Sequence, residues 1–311
     1  MTIDFVCDIV IVSKINYNPI ESEGVNMIDF SKYEKTNTYY GGTERKFGVN
    51  VEGFEYMIKF QKHDNFGVKR NNHISEYLGS HIFELLGFEA QDTYLGTYEE
   101  EQVVACKNFV SGEMQFVPFN DVGESSLEQD KETYQYSYQD IMQMLRDNVK
   151  LTSVEETISM FWDIYVVDAL IGNFDRHGGN WGFLKKNNKY TLAPVFDNGS
   201  CLYPKLKDEE EMQSIMESEE KTNLRIYGYP TSQVQLNGKK SSYFEVINSL
   251  EFKECNDSVI KICERYSQEK INELIDETYF ITDVQKSFYK YILRQRFEKI
   301  LLPAYKKLTE K

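Results

Sequence analysis

The chain has 311 residues and a mass of 36.5 kDa, with 35 Lys+Arg against 50 Asp+Glu and a formal net charge of −15. That length allows two lobes around a sizeable core, and 14% aromatic residues exclude disorder for most of the chain. The acidic balance excludes a general grip on nucleic acid, and the five cysteines, scattered and never C-x-x-C, exclude a disulfide framework and a zinc site.

The N-terminal M-T-I-D-F-V-C-D-I-V-I-V-S-K carries Asp4 and Asp8 where a secretion signal needs Lys or Arg. Its apolar run, Ile9 to Val12, is too short for a membrane span, so a cytoplasmic protein is expected. Residues 1–25 read as an N-terminal extension, one short strand and a polar connection. From 44 to 61 two strands turn at Glu52-Gly53, and Phe54, Tyr56, Ile58 and Phe60 alternate onto one face, leaving Met57 and Lys59 on the other.

A helix follows from about Asn72 to Leu86, its apolar residues at helical spacing and Gly87 past its end. A second hairpin, Asp92–Thr97 and Gln102–Val110, turns at Tyr98–Glu101. After Val110 the texture changes. Residues 120–137 are polar and loop-like, Ser153 with Glu156 opens a helix that runs to Leu170 and stops at Gly172, and the last 70 residues suggest two or three amphipathic helices. Strand-rich before helix-rich is α+β architecture in two lobes, divided here as 26–110 and 111–311.

The chemistry lies between Ile171 and Ser200. In I-G-N-F-D-R-H-G-G-N-W, Asp175 precedes Asn180 by five residues, in a loop just after a buried helix. The chain then reads as a hairpin: Trp181–Leu184 out, a turn centred near Asn187, Tyr190–Phe196 back. The residue opposite Asn180 is therefore about 194, and Asp197 returns beside the Asp175–Asn180 loop. Amide and carboxylate oxygens suit a hard cation such as Mg²⁺, and an extra aspartate beside it can deprotonate a hydroxyl. This set resembles the division of labour in protein kinases: D-x-x-x-x-N, then Asp-x-Gly, with a lysine on a strand of the other lobe. Lys59 fits that lysine, and Glu76 on the next helix is placed to pair with it.

D-R-H-G-G-N, V-F-D-N-G-S-C-L-Y-P and V-V-A-C-K-N-F resemble the HipA-like serine/threonine kinases, within them the CtkA branch of cell-translocating kinases, over roughly residues 26–311. The resemblance implies a bilobal kinase fold, ATP with Mg²⁺, and transfer to protein Ser/Thr including the kinase itself. By position it implies Asp175 as general base, Asn180 and Asp197 as metal ligands, and Lys59 and Glu76 as the ion pair. Lys107 to Phe109 become an inter-lobe hinge whose backbone meets adenine, and His177 lies in the catalytic loop. It also implies secretion into a host cell, and an antitoxin or host protein as partner.

Two departures stand out. The stretch before the first hairpin holds only Gly41-Gly42 and a later Gly48 in place of G-x-G-x-x-G, and Asn198 replaces the Phe of D-F-G.

Each residue also has a plainer reading. Asp, Asn and Gly cluster in ordinary turns, Lys59 and Glu76 could be solvated, Gly41-Gly42 could be a mere turn, and His177 could brace the loop by hydrogen bonds. A phosphoinositide-type lipid kinase shares D-R-H-x-x-N, and an ATP-binding pseudokinase or toxin-type interaction module is the third reading. No basic membrane-facing patch supports the former, and all the residues for turnover stand against the latter.

Overall fold

The computed structural model describes residues 27–41, 45–122, 137–148, 151–206 and 208–310. The extension expected at 1–25, and Gly42, lie outside them.

The N-terminal half is a sheet of six strands, β1 (Ile28–Asp29), β2 (Glu34–Lys35), β3 (Lys46–Val51), β4 (Phe54–Phe60), β5 (Thr93–Tyr98) and β6 (Glu101–Lys107), in the order β1-β5-β6-β4-β3-β2. All pairs are antiparallel except β1 with β5. Both expected hairpins form. Their two-residue turns have positive φ at both positions, 54° and 88° at Glu52-Gly53 and 49° and 68° at Glu99-Glu100. That is the twist a tight hairpin needs.

The alternation along β4 also holds. Ile58, Phe60 and Tyr56 join Phe30, Val49, Tyr98 and Val103 in a small core on one face. Met57 packs into the larger core on the other, where the helix α1 (Asn72–Leu85) lies. Phe54, at the hairpin end, is exposed and takes Lys107 over its ring.

The second half is helical around α2 (Tyr138–Asp147) and α3 (Val154–Ile171). The α3 helix is buried nearly all round, which fits its lack of a polar stripe. Ser153 caps its start by accepting the Glu156 N–H at 3.3 Å, and Gly172 ends it at φ 65°.

Beyond it stands a small sheet of β7 (Gln115–Pro118), β8 (Gly182–Lys186) and β9 (Lys189–Leu192). The β8–β9 turn falls at Asn187-Asn188, and Phe183 pairs with Leu192, which extrapolates Asn180 to a position opposite 195. The returning strand is shorter than expected because the chain leaves β8 after the Ala193 N–H to Gly182 O bond, and Val195 bridges Ala90 in parallel instead. β7 was not expected.

The acidic stretch after residue 207 forms α4 (Glu209–Glu217) and α5 (Glu219–Asn223), followed by a π-helical turn Leu224–Gly228.

Two or three C-terminal helices are too few. The described residues from 243 hold α6 (Tyr243–Ser249), α7 (Lys253–Arg265), α8 (Gln268–Glu277), α9 (Asp283–Arg296) and α10 (Leu302–Thr309), the last two joined through a π-helical turn. Their breaks are made by the caps Ser242, Ser267 and Thr282 rather than by glycine, so punctuation by Gly and Pro misses them. No helix among the described residues is long and apolar enough to cross a membrane.

Candidate active site

The two halves meet at Lys59. Alternation sets its side chain on the α1 face of β4, where Nζ reaches Glu76 Oε2 at 3.1 Å and Asp197 Oδ1 at 3.3 Å. Lys59 and Glu76 are buried, whereas the Asp197 side chain is 41% exposed at the edge of the cleft. Burial alone would lower the lysine pKa, but the two carboxylates outweigh it and hold the ammonium charged. Burial pushes the Asp197 carboxyl up, but Lys59, Arg176 and Lys62 prevail and hold it below the usual carboxylate range. Asp197 has φ 57°, a left-handed conformation uncommon outside glycine and one found at functional sites.

The loop carrying Asp175 is tied by its own polar groups. The Asp175 N–H donates to Asn173 Oδ1 at 3.1 Å, and its carbonyl accepts from the His177 N–H and Asn180 Nδ2, both at 2.8 Å. The second of these bonds turns Asn180 Oδ1 the opposite way. His177 Nδ1 accepts the Gly179 N–H at 3.0 Å, which makes the ring a brace of the turn.

Arg176 joins this loop to the returning chain. Its five N–H donors all find acceptors: Asp168 by a two-pronged pair at 2.9 and 3.0 Å, Asn180 O at 3.1 Å, Phe196 O at 2.5 Å and Asn198 Oδ1 at 2.6 Å. One nitrogen reaching both Asn180 O and Phe196 O holds those carbonyls within about two hydrogen-bond lengths. The residues on either side of Asp197 are thus clamped beside Asn180, as the hairpin count anticipates.

The α1 helix is stapled to the same segment. Glu76 Oε1 accepts the Asn198 N–H at 3.1 Å, Ser80 Oγ accepts Asn198 Nδ2 at 3.0 Å, and Ser75 Oγ donates to Cys201 O at 2.7 Å. Gly79 makes room for this contact, since a Cβ there would lie 2.5 Å from Asn198 Cβ. Gly79→Ala is therefore expected to force α1 away from Asn198 and to cost about 1–3 kcal/mol. Thermal unfolding checks the cost, and nucleotide titration should show weaker binding, because Glu76 moves with the helix.

Of the other expected residues, Gly41 is exposed. The Lys107 N–H donates to Asp92 O at 2.9 Å and its carbonyl accepts from Gln91 Nε2 at 2.9 Å, so both its backbone groups are in use. The Asn108 N–H donates to Glu55 O at 2.8 Å, and the Phe109 ring lies 5.9 Å from Phe116 and 5.6 Å from Phe196.

The sequence reading gave no role to Arg176, Asp168, Asn173, Ser75, Gly79, Ser80, Phe116 and Phe196, and noted Asn198 only as standing in place of the D-F-G phenylalanine. One signal pointed to some of them: Ser75 and Gly79, and Glu76 and Ser80, stand four apart on one helical face.

The donor chemistry fits a hard divalent cation. Asn180 presents an amide oxygen, and Asp197 has one carboxylate oxygen bonded to Lys59 and a half-exposed side chain. Among the described residues no three His, Cys, Asp or Glu converge to cage a metal.

The HipA-like C-terminal domain family matches residues 38–281. The serine/threonine-protein kinase CtkA of Helicobacter pylori is 33% identical over 288 residues, covering 90% of this chain and 88% of that protein. A crystal structure of a Helicobacter pylori proinflammatory kinase CtkA has a TM-score of 0.83 at 33% identity, covering 92% of this chain and 99% of the other. HipA of Shewanella oneidensis, solved with HipB and operator DNA, is similar in fold alone, with a TM-score of 0.53 at 13% identity over 88% of this chain and 67% of that one.

Proposed function

The chain belongs to the HipA-like C-terminal domain family, and from that premise we propose that this serine/threonine kinase takes the γ-phosphoryl group from ATP in the cleft between sheet and helices. The bridge from Lys59 to Glu76 and Asp197 carries the reading: a buried cation held by one carboxylate from each half of the molecule. Lys59 holds the α/β-phosphates, and Glu76 fixes the lysine from behind. Asn180 and Asp197 would hold Mg²⁺, which supplies charge neutralisation for the phosphate oxygens.

Asp175 orients the acceptor hydroxyl and takes its proton. His177 keeps the loop in shape and Arg176 keeps the metal ligands together. The rings of Phe109, Phe116 and Phe196, each within 5.9 Å of the next, form an apolar wall for the adenine. With both Lys107 backbone groups and the Asn108 N–H engaged, the hinge meets the base at the Asn108 carbonyl and Phe109. Gly41, in the β2–β3 connection, closes over the phosphates. The acceptor is a protein Ser or Thr, the chain's own hydroxyls included.

The test is transfer of labelled phosphate from ATP to a basic protein. Label is expected in phosphoserine or phosphothreonine with Mg²⁺ present and none after chelation. Label found only in phosphoinositide vesicles, or nucleotide binding with no transfer, would overturn the reading.

A further inference from the structure

Glu55 has no part in the transfer chemistry, yet several side chains converge on its carboxylate. Alternation along β4 puts it on the face that carries Met57 and Lys59. Its Oε1 accepts from Thr36 Oγ1 at 2.5 Å, and its Oε2 accepts from Asn108 Nδ2 at 3.0 Å. Thr38 and Tyr40 face the same carboxylate, and the Tyr40 hydroxyl is buried beside it. Burial pushes the Glu55 carboxyl up, but the facing groups Thr36, Thr38, Asn108 and Tyr40 prevail and hold it below the usual carboxylate range. For Tyr40 burial comes first and the Glu55 charge second, and both push the phenol up.

The convergence follows a pattern in the chain. Thr36, Thr38 and Tyr40 are alternate residues, the spacing at which an extended chain turns side chains to one side, and Tyr39 between the last two is 88% exposed. The Thr36 N–H donates to Gly48 O at 2.9 Å; from there to Gly41 the chain belongs to no strand. Gly48 leaves room for this, since a Cβ there would collide with Thr36 Oγ1 and lie 2.8 Å from Glu55 Oε1. Side chains meeting one carboxylate, rather than a ladder, hold the stretch that ends at Gly41.

The second carboxylate oxygen serves the hinge, but the hinge depends on it less. The Asn108 N–H donates to Glu55 O at 2.8 Å and its Oδ1 accepts the Val110 N–H at 2.9 Å, and neither bond uses the Glu55 side chain. Without the carboxylate Asn108 keeps both, whereas the chain from Thr36 to Gly41 loses the group its side chains share.

We propose that Glu55 is a positioning residue for the nucleotide, its carboxylate holding the Thr36–Gly41 stretch over the phosphates from an anchor at the hinge. The assignment rests on the proposed reading of the cleft as an ATP site. Its signature is a loss of affinity that grows with the number of phosphates, which a general loosening of the fold would not produce.

The test is calorimetric titration of ATP and ADP, each with Mg²⁺, and of adenosine. Glu55→Ala is expected to bind ATP about tenfold more weakly and ADP less affected, with adenosine within about twofold of the intact protein. Glu55→Gln keeps an acceptor oxygen and should recover part of the loss. Thr36→Val, similar in shape and lacking only the hydroxyl, should weaken ATP relative to adenosine in the same direction, with a melting curve close to that of the parent. Equal losses for ATP and adenosine in Glu55→Ala, or ATP binding unchanged in both Glu55→Ala and Thr36→Val, would overturn the assignment and leave the kinase reading standing. A graded loss without any phosphoryl transfer by the intact protein would overturn the kinase reading alone, and no nucleotide binding by the intact protein would overturn both.

Discussion

Replacing Asp175 with alanine is expected to lower kcat for phosphoryl transfer by about 10²–10⁴-fold while leaving the KM for ATP nearly unchanged. The separation follows from what the residue touches. Its backbone carries the loop, through the Asn173, His177 and Asn180 hydrogen bonds, and alanine keeps every one of them. Among the described residues no side chain donates to its carboxylate, so removing that group breaks no structural contact. The bound nucleotide is held instead by Lys59 and the ligands around Asp197. Steady-state kinetics with saturating ATP, beside a thermal melt to confirm the fold, checks this. A kcat within a few-fold of the parent protein would remove Asp175 from the reaction.

Arg176→Leu is expected to destabilise the protein by about 3–5 kcal/mol, because it leaves Asp168 charged, buried and without its cation. For a chain of this size that is a fall in melting temperature of roughly 6–20 °C. Adding Asp168→Leu should restore much of the stability, since a buried ion pair replaced by apolar groups of similar volume is often neutral or better.

Activity should not return with it. Asn180 O, Phe196 O and Asn198 Oδ1 lose their common donor in both variants, and the residues flanking Asp197 lose that tie to the loop. Calorimetry and transfer assays on the single and double variants separate the two effects. Recovery of full activity in the double variant would show that the clamp is structural only.

Much of the site could be read along the chain, and the residues show why. Lys59 could be placed because a strand alternates, and Ile58 and Phe60 had to face a core. Glu76 could be placed from the kinase resemblance, as the carboxylate on the helix that follows the Lys59 strand. The hairpin count was within one residue, since antiparallel pairing advances both strands together once Asn187-Asn188 is recognised as the turn.

The errors have equally local causes. Val195 leaves the β8 ladder for Glu89 and Gln91, a distant partner that alternation along the strand does not announce, and serine and threonine caps divide the C-terminal helices where no glycine announces a break.

The sequence by itself therefore determined the two N-terminal hairpins, α1, α3 and the β8–β9 turn, and the positions of Lys59, Glu76, Asp175, Asn180 and Asp197 along them, because periodicity and turn chemistry depend on near neighbours. Tertiary structure alone decided how those positions are held. Arg176 finds Asn198 22 residues away, Glu76 finds the Asn198 N–H across 122, and Tyr229 comes to rest on Phe174. A buried donor must find an acceptor wherever the packed chain provides one, and no spacing in the sequence encodes which acceptor that is.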